Sequence, residues 1–273
     1  MKTVLITTDF SAASRHALDY ACNLLRNKEV MLDLLHIFPV AVTYTTEGAA
    51  LASMSNAIDH AEGMMEDEIA WATNKYPGIR IESRIITGSF LETLRQEVQI
   101  SRPLFMILGT AGFADLSLGD IDPLNALRSV QVPVLFVPQG AVIRPVKKVA
   151  YACNYAYTGA QTPVSEIISW ISFMDAGLEM LHADPQAHGE NSKQVSGEQW
   201  MKEQLLPLQP EFHWVQDKDV VKGISSFVHN NDNDCVLVVP RKYGLFEGIF
   251  RESRTKALAR LNKVPVIAFH ERD

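Results

Sequence analysis

Apolar and polar positions along this chain alternate between two periods. Thr3–Thr8 (TVLITT) is a short run of β-branched and apolar residues, which predicts a parallel strand buried on both faces. The next stretch, DFSAASRHALDYACNLLRN, changes period. Ala17, Leu18, Ala21, Leu24 and Leu25 recur on one helical face, and Ser11 stands where an N-cap belongs. Val30–Phe38 reads as a second strand, residues 39–55 as a loop, and Ala57–Tyr76 as a long amphipathic helix stopped by Pro77-Gly78. A strand at Ile79–Ile86, a helix at Ser89–Ser101 and a strand at Leu104–Leu108 follow. A helix from Pro123 to about Val130 and a fifth strand at Pro133–Val137 complete the first half. This alternation predicts a parallel sheet with helices on both faces.

After a linker at Gln139–Pro145 the pattern starts again. Strands are expected at Lys148–Cys153, Leu178–His182, Glu211–Val215, Cys235–Val239 and Val266–Phe269. Helices are expected at Thr162–Met174, Glu198–Leu206, Val220–His229 and Ser253–Leu261. The halves match strand by strand. DLLHI at 33–37 corresponds to EMLHA at 179–183, FMILG at 105–109 to VLVVP at 236–240, and VPVLFV at 132–137 to VPVIAF at 264–269. The offset falls from 146 to 132 along the way, so the second half is shorter by about 14 residues. The loop after the second strand is the expected place of the deletion, since loops absorb length changes cheaply. The chain is thus an internal duplication, with domains expected at 1–139 and 146–273.

Composition narrows the function classes. The 273 residues are 47% hydrophobic and 21% charged, ordinary values for a chain that buries its own core. The net charge of −7 argues against a nucleic-acid or anionic-membrane surface. No apolar run approaches the ~20 residues of a membrane helix, and the N-terminus enters a strand without an export signal. Cys22, Cys153 and Cys235 lie far apart, as buried thiols in a reducing compartment would. The expected location is cytoplasmic, with neither nucleic acid nor membrane as partner.

TTDFSAASRHALDYA (7–21), LLHI (34–37) and LRSVQVPVLFVP (127–138) resemble the opening motif, second strand and closing helix and strand of the universal stress protein family. The resemblance covers nearly the whole chain, twice. It implies an α/β fold of two tandem Rossmann-like domains, each a five-stranded parallel sheet with helices on both faces. It also implies that Val134–Val137 and Val266–Phe269 are apposed in a pseudo-two-fold internal dimer. Whether the whole chain dimerises further, or pairs with other stress proteins, stays open.

One branch of that family binds ATP through Gly-x2-Gly-x9-Gly-Ser/Thr and an Asp after the first strand. Glycines bring backbone N–H groups close to phosphates, and the following helix N-terminus favours their charge. The resemblance carries these roles to Asp9, Ile37, Leu108, Gly109, Gly112, Gly119 and Asp120 in the first half. Two departures weaken the phosphate end. Gly119 follows Gly112 after six residues, and Asp120 stands where Ser or Thr belongs. A carboxylate ~4 Å from a phosphate costs about 1 kcal/mol in water and about 4 at an effective dielectric of 20. In the second half Pro240 replaces the first glycine, Glu252 precedes Ser253, and Asn154 stands in the place of Asp9. ATP or another adenine nucleotide is therefore expected only in the first half.

Each remaining candidate has a plainer reading. Asp9 can cap the following helix. His36 and His182, at equivalent strand ends, can pack with one ring nitrogen on backbone. His182, Asp184 and His188 share no regular element, so no metal is expected. The segment RKYGLFEGIFRES (241–253) can bury its aromatics at an interface or bind an anion. No nucleophile-and-base signature, HExxH or Walker A occurs. The function expected is non-enzymatic binding in a stress response; a weak ATPase or switch and an inactive scaffold are the alternatives.

Overall fold

A computed structural model describes residues 1–39, 47–111, 123–184, 192–240 and 263–272. The first half contains β1 (Lys2–Thr7), α1 (Ala12–Leu25), β2 (Val30–Phe38), α2 (Glu47–Lys75) and β3 (Ile81–Thr87). It continues with α3 (Phe90–Ser101), β4 (Met106–Thr110), α4 (Pro123–Ser129) and β5 (Val134–Pro138). The second half contains β6 (Lys148–Cys153), α5 (Val164–Met174), β7 (Gly177–Asp184) and α6 (Ser192–Gln204). It ends with β8 (Glu211–Gln216), α7 (Val220–Asn230), β9 (Cys235–Val238) and β10 (Val266–Ala268). The helix expected at Ser253–Leu261 and the segment 241–253 lie outside the described residues.

All ten strands form one sheet in the order β3-β2-β1-β4-β5-β10-β9-β6-β7-β8. Within each half every pairing is parallel and the order is the same, third-second-first-fourth-fifth. The halves meet through their last strands, which pair antiparallel with Val266 opposite Phe136, Ile267 opposite Leu135 and Ala268 opposite Val134. The fold is the α/β architecture that the alternation of periods predicts.

Side chains alternate across the sheet. Val4, Ile6, Leu135, Val137 and Ile267 join the layer that packs under α1 and α5. Leu5, Val134, Phe136, Val266 and Ala268 join the layer under α3, α4 and α7. Both layers continue across the seam between halves. No helix among the described residues is long and apolar enough to cross a membrane.

Two expectations are corrected here. The helix expected from Ala57 begins at Glu47, so most of the stretch read as a loop is helical. Its first turns (EGAALASMSN) are rich in alanine, the best helix former, but carry no strong apolar stripe for periodicity to detect. The length difference between halves accordingly sits in this helix, 29 residues in α2 against 13 in α6. The preceding connections, 39–46 and 185–191, are nearly equal in length.

Charged residues enter the sheet near its outer edges. Asp33 on β2 is 5% exposed and accepts from Arg84 on β3 at 3.1 and 2.5 Å. Arg84 also bonds Glu97 on α3. In the second half, Glu179 takes the place of Asp33 and His213 that of Arg84, since Leu181 opposes His213 as Leu35 opposes Arg84. Glu179 is held instead by Lys148 Nζ at 2.8 Å and by Asn233 Nδ2 at 2.7 Å. Removing one partner of a buried pair leaves an uncompensated charge, a loss of 3–5 kcal/mol for full burial. Arg84→Met is expected to cost about 2–3 kcal/mol, because its guanidinium is about one third exposed. Urea denaturation of the variant beside the parent checks this, and a midpoint unchanged within error would remove the triad from the account of stability.

Candidate functional site

The strand order reverses between β1 and β4, so the helices that follow these two strands leave on opposite faces. The C-terminal ends of the strands therefore open a crevice, the usual ligand position in such sheets. The segment Thr8–Ser11 lines it. The Asp9 carboxylate is exposed and accepts the Ser11 N–H at 3.0 Å, forming an Asx turn. Ser11 caps α1, its hydroxyl accepting from Ser14 N–H at 3.2 Å, so Asp9 positions the cap and Ser11 makes it. Partial burial pushes the Asp9 carboxyl up. Hydrogen bonds from the Ser11 hydroxyl and amide and from the Ser14 hydroxyl outweigh that and hold it below its ordinary value.

Phe10 has φ +62°, a left-handed conformation that a bulky residue rarely adopts. Two contacts hold it there. Its N–H donates to Thr8 Oγ1 at 3.0 Å, and its ring lies 4.5 Å from the His36 ring. His36 Nδ1 in turn donates to the Thr8 carbonyl at 2.8 Å. Strain of this kind, of order 1–3 kcal/mol, persists where surrounding contacts over-determine a conformation, and it clusters at ligand sites.

Of the other residues singled out in the sequence, Ile37 and Leu108 have their side chains buried in the layer under α3 and α4. Gly109 is needed for packing. A Cβ there would stand 2.5 Å from the Ala13 carbonyl oxygen and 3.0 Å from Ser14 Cα, so only glycine lets β4 approach the first turn of α1. Gly112, Gly119 and Asp120 lie outside the described residues.

A buried charge beside the crevice was not legible in the sequence. Glu68 on α2 is 4% exposed, faces Arg15 at 3.6 Å, and leaves its Oε2 without a hydrogen-bond partner. The Arg15 guanidinium stacks 4.0 Å from the Trp71 ring centre. Burial pushes the Glu68 carboxyl above its ordinary value, and hydrogen bonds from Thr8 and Arg15 oppose this only in part. In the sequence Glu68 sits in the acidic run MEDE and looks solvated.

The second half repeats the framework and fills the crevice. Asn154 makes the same Asx turn through Ala156 N–H at 3.0 Å. Tyr155 and His182 repeat the Phe10–His36 pair, stacked at 4.7 Å, but both are wholly buried. Trp214 closes over them, 4.5 Å from His182 and 5.5 Å from Tyr155. α6 seats on this turn through Gly197, where a Cβ would collide with the Tyr155 carbonyl. The tautomers also differ, because His182 Nδ1 accepts the Tyr155 N–H at 3.2 Å whereas His36 Nδ1 donates.

Other chemistry is sparse. Cys22, Cys153 and Cys235 are buried, and burial pushes the Cys22 thiol up to about 12, which disfavours the thiolate. Of the residues His182, Asp184 and His188, the last lies outside the described residues. Glu179, Glu211 and His213 bring ligand atoms within 4.8 Å of one another, but the Lys148 ammonium already lies 2.8 Å from Glu179 Oε1.

A family model described as the universal stress protein family matches residues 1–138. The fold is similar to a universal stress protein from Archaeoglobus fulgidus, with TM-score 0.69 and 16% identity, covering 99% of this chain and 97% of that one. A putative universal stress protein from Pseudomonas aeruginosa matches with TM-score 0.56 and 15% identity, covering 99% and 94% of the two chains. A functionally unknown protein from the same species matches with TM-score 0.55 and 14% identity, covering 99% and 93%. No curated protein matches by sequence.

Two outcomes follow from the packing. Gly109→Ala is expected to destabilise the chain by about 1–3 kcal/mol, because backbone lies against the new methyl group. Equal denaturation midpoints would refute that contact. Glu68→Gln is expected to raise Tm at pH 7 by ~2 °C, as a buried charge with an unpartnered oxygen is removed. The sign follows from the raised carboxyl: the folded state holds the proton more tightly, so the charge penalises folding above the folded pKa and vanishes as pH falls below about 4.5. Thermal melts from pH 4 to 8 test this; a gain that persists at pH 4 would show that the charge is not the cause.

Proposed function

The chain belongs to the universal stress protein family, and on that premise we propose that it acts by binding, with an adenine nucleotide in the crevice of the first half. The observation that carries this reading is the asymmetry between halves. Asp9 is exposed beside the partly exposed Phe10 and His36, whereas Tyr155 and His182 are 0% exposed beneath Trp214 and α6. The ring pair of the first half keeps exposed surface, whereas that of the second half is covered by its own side chains.

Asp9 suits the sugar or base end of a nucleotide. Its carboxylate is held ionised by the α1 cap and offers acceptor capacity to a hydroxyl or amino donor. Substitution by Asn preserves the turn, as Asn154 does, but halves the acceptor capacity. The phosphate end falls to the segment 109–120, where Asp120 opposes an anion unless a divalent cation intervenes. The role we propose is binding. We further propose that the β5–β10 pairing makes residues 1–139 and 146–273 an internal dimer of two domains.

Calorimetric titration with ATP and AMP, with and without Mg²⁺, tests the nucleotide reading. Saturable micromolar binding is expected, weakened at least tenfold (~1.4 kcal/mol) by Asp9→Ala and less by Asp9→Asn. Gly109 variants are unsuitable here because they perturb packing. No heat at millimolar nucleotide, in protein free of carried-over ligand, would overturn the reading.

A further inference from the structure

We propose that the seam between the halves, at the end of β1 opposite Asp9, binds a small amphipathic anion: a flat apolar or aromatic group that carries a phosphate or carboxylate. Two adjoining cavities, joined at Lys2 and Phe173, give the site its two characters.

The first is an apolar slot of about 270 Å³. Leu104, Phe105 and Pro133 of the first half form one wall, and Trp170 and Phe173 on α5 of the second half form the other. Phe105 meets Trp170 edge-on at 6.3 Å and Phe173 at 6.4 Å. Trp170 is 5% exposed, yet its indole N–H is buried without an acceptor. A buried donor left unmade is costly, and it belongs to a residue that lines the slot. Neither half builds this slot alone, and clefts between domains are preferred ligand positions.

The second is a groove of about 680 Å³ that brings together Lys2, Arg26, Lys28 and Arg80 against the single carboxylate of Glu29. Among the described residues no salt bridge to Lys2, Arg26 or Lys28 is formed, and the one carboxylate that acts on Lys28 at longer range, Asp175, is already held by Lys147 at 2.7 Å. The C-terminus of α1 accounts for Arg26 and Lys28 by itself. It does not account for Lys2 on β1 or Arg80 before β3. Lys28 Nζ lies 5.4 Å from the Phe173 ring, so positive charge stands where slot and groove meet. A ligand with its ring in the slot and its anion in the groove answers both the aromatic walls of the one and the excess of cations in the other.

The probe is 1-naphthyl phosphate, titrated calorimetrically into the full chain, with 1-naphthol and inorganic phosphate titrated separately. Saturation in the micromolar range is expected, with each part alone at least tenfold weaker. The double variant Lys2→Glu/Lys28→Glu and the slot-filling Ser169→Trp are each expected to weaken binding at least tenfold. Lys2 and Ser169 are exposed and Lys28 is partly exposed, so the variants are expected to retain the fold, which circular dichroism checks. Absence of saturation at millimolar probe, an affinity unchanged in either variant, or phosphate alone binding as tightly as the probe would each overturn the proposal. Because these readouts do not involve the Asp9 crevice, failure here and failure of the nucleotide reading are separate results.

Discussion

The antiparallel pairing of β5 with β10 is the constraint on which the rest of the molecule depends. Val134–Pro138 is buried on both faces, and Val266–Ala268 likewise. A strand with no polar face cannot stand at a free edge without inviting aggregation. Pairing the two strands gives each the other's backbone groups and continues both apolar layers across the seam. Polarity then rises outward. The true edges, β3 and β8, carry Glu82, Ser83 and Arg84 in one half and Glu211 and His213 in the other. The sheet is driest in the middle, and the buried ion groups sit beside its edges, where a guanidinium or ammonium can still reach water.

Duplication makes the molecule its own control. The same Asx turn opens both halves, with a carboxylate in one and an amide in the other, so the turn itself does not require a charge at position 9. The ring pair is also repeated. What differs is the cover. In the second half Gly197 lets α6 settle onto the turn and Trp214 closes the side. In the first half the aromatic ring is held at positive φ instead of being buried. The cost of a left-handed Phe10 is carried in the half whose ring pair stays partly exposed, and strain of this kind clusters at functional sites.

Much of this was legible in the sequence, for a physical reason. Period-two and period-3.6 patterns survive wherever a face is buried, so Val30–Phe38 and Lys148–Cys153 could be read to their ends. The start of α2 could not, because its alanine-rich turns carry propensity without an apolar stripe. Glu68 was hidden for a related reason. One carboxylate in an acidic run turns inward only because of what packs over the helix, and no local pattern records that. Gly109 was legible as a special position, but its close approach to α1 was not. The filled crevice required Tyr155, His182, Trp214 and Gly197 to be brought together from three elements and a turn, and their spacing in sequence is unrelated to their distance in space.

The two ends of β1 carry opposite charge, and this orders the functional readings. Asp9 is an ionised carboxylate at one end, with the buried charge of Glu68 adding negative potential nearby. Lys2, with Arg26, Lys28 and Arg80, makes the other end positive. Like charges ~4 Å apart repel by about 1 kcal/mol in water and by about 4 at an effective dielectric of 20, so a bare phosphate is disfavoured within reach of Asp9. On the proposed reading the Asp9 end takes the donor-bearing, neutral part of a ligand and needs a cation or a backbone cradle to tolerate its anionic part. The Lys2 end tolerates the anion directly and asks for an apolar group beside it. The roughly 20 Å between them, at ~3.3 Å per strand residue, is too long for one small molecule to bridge through the core, so the two sites answer to different ligands or to different molecules of one.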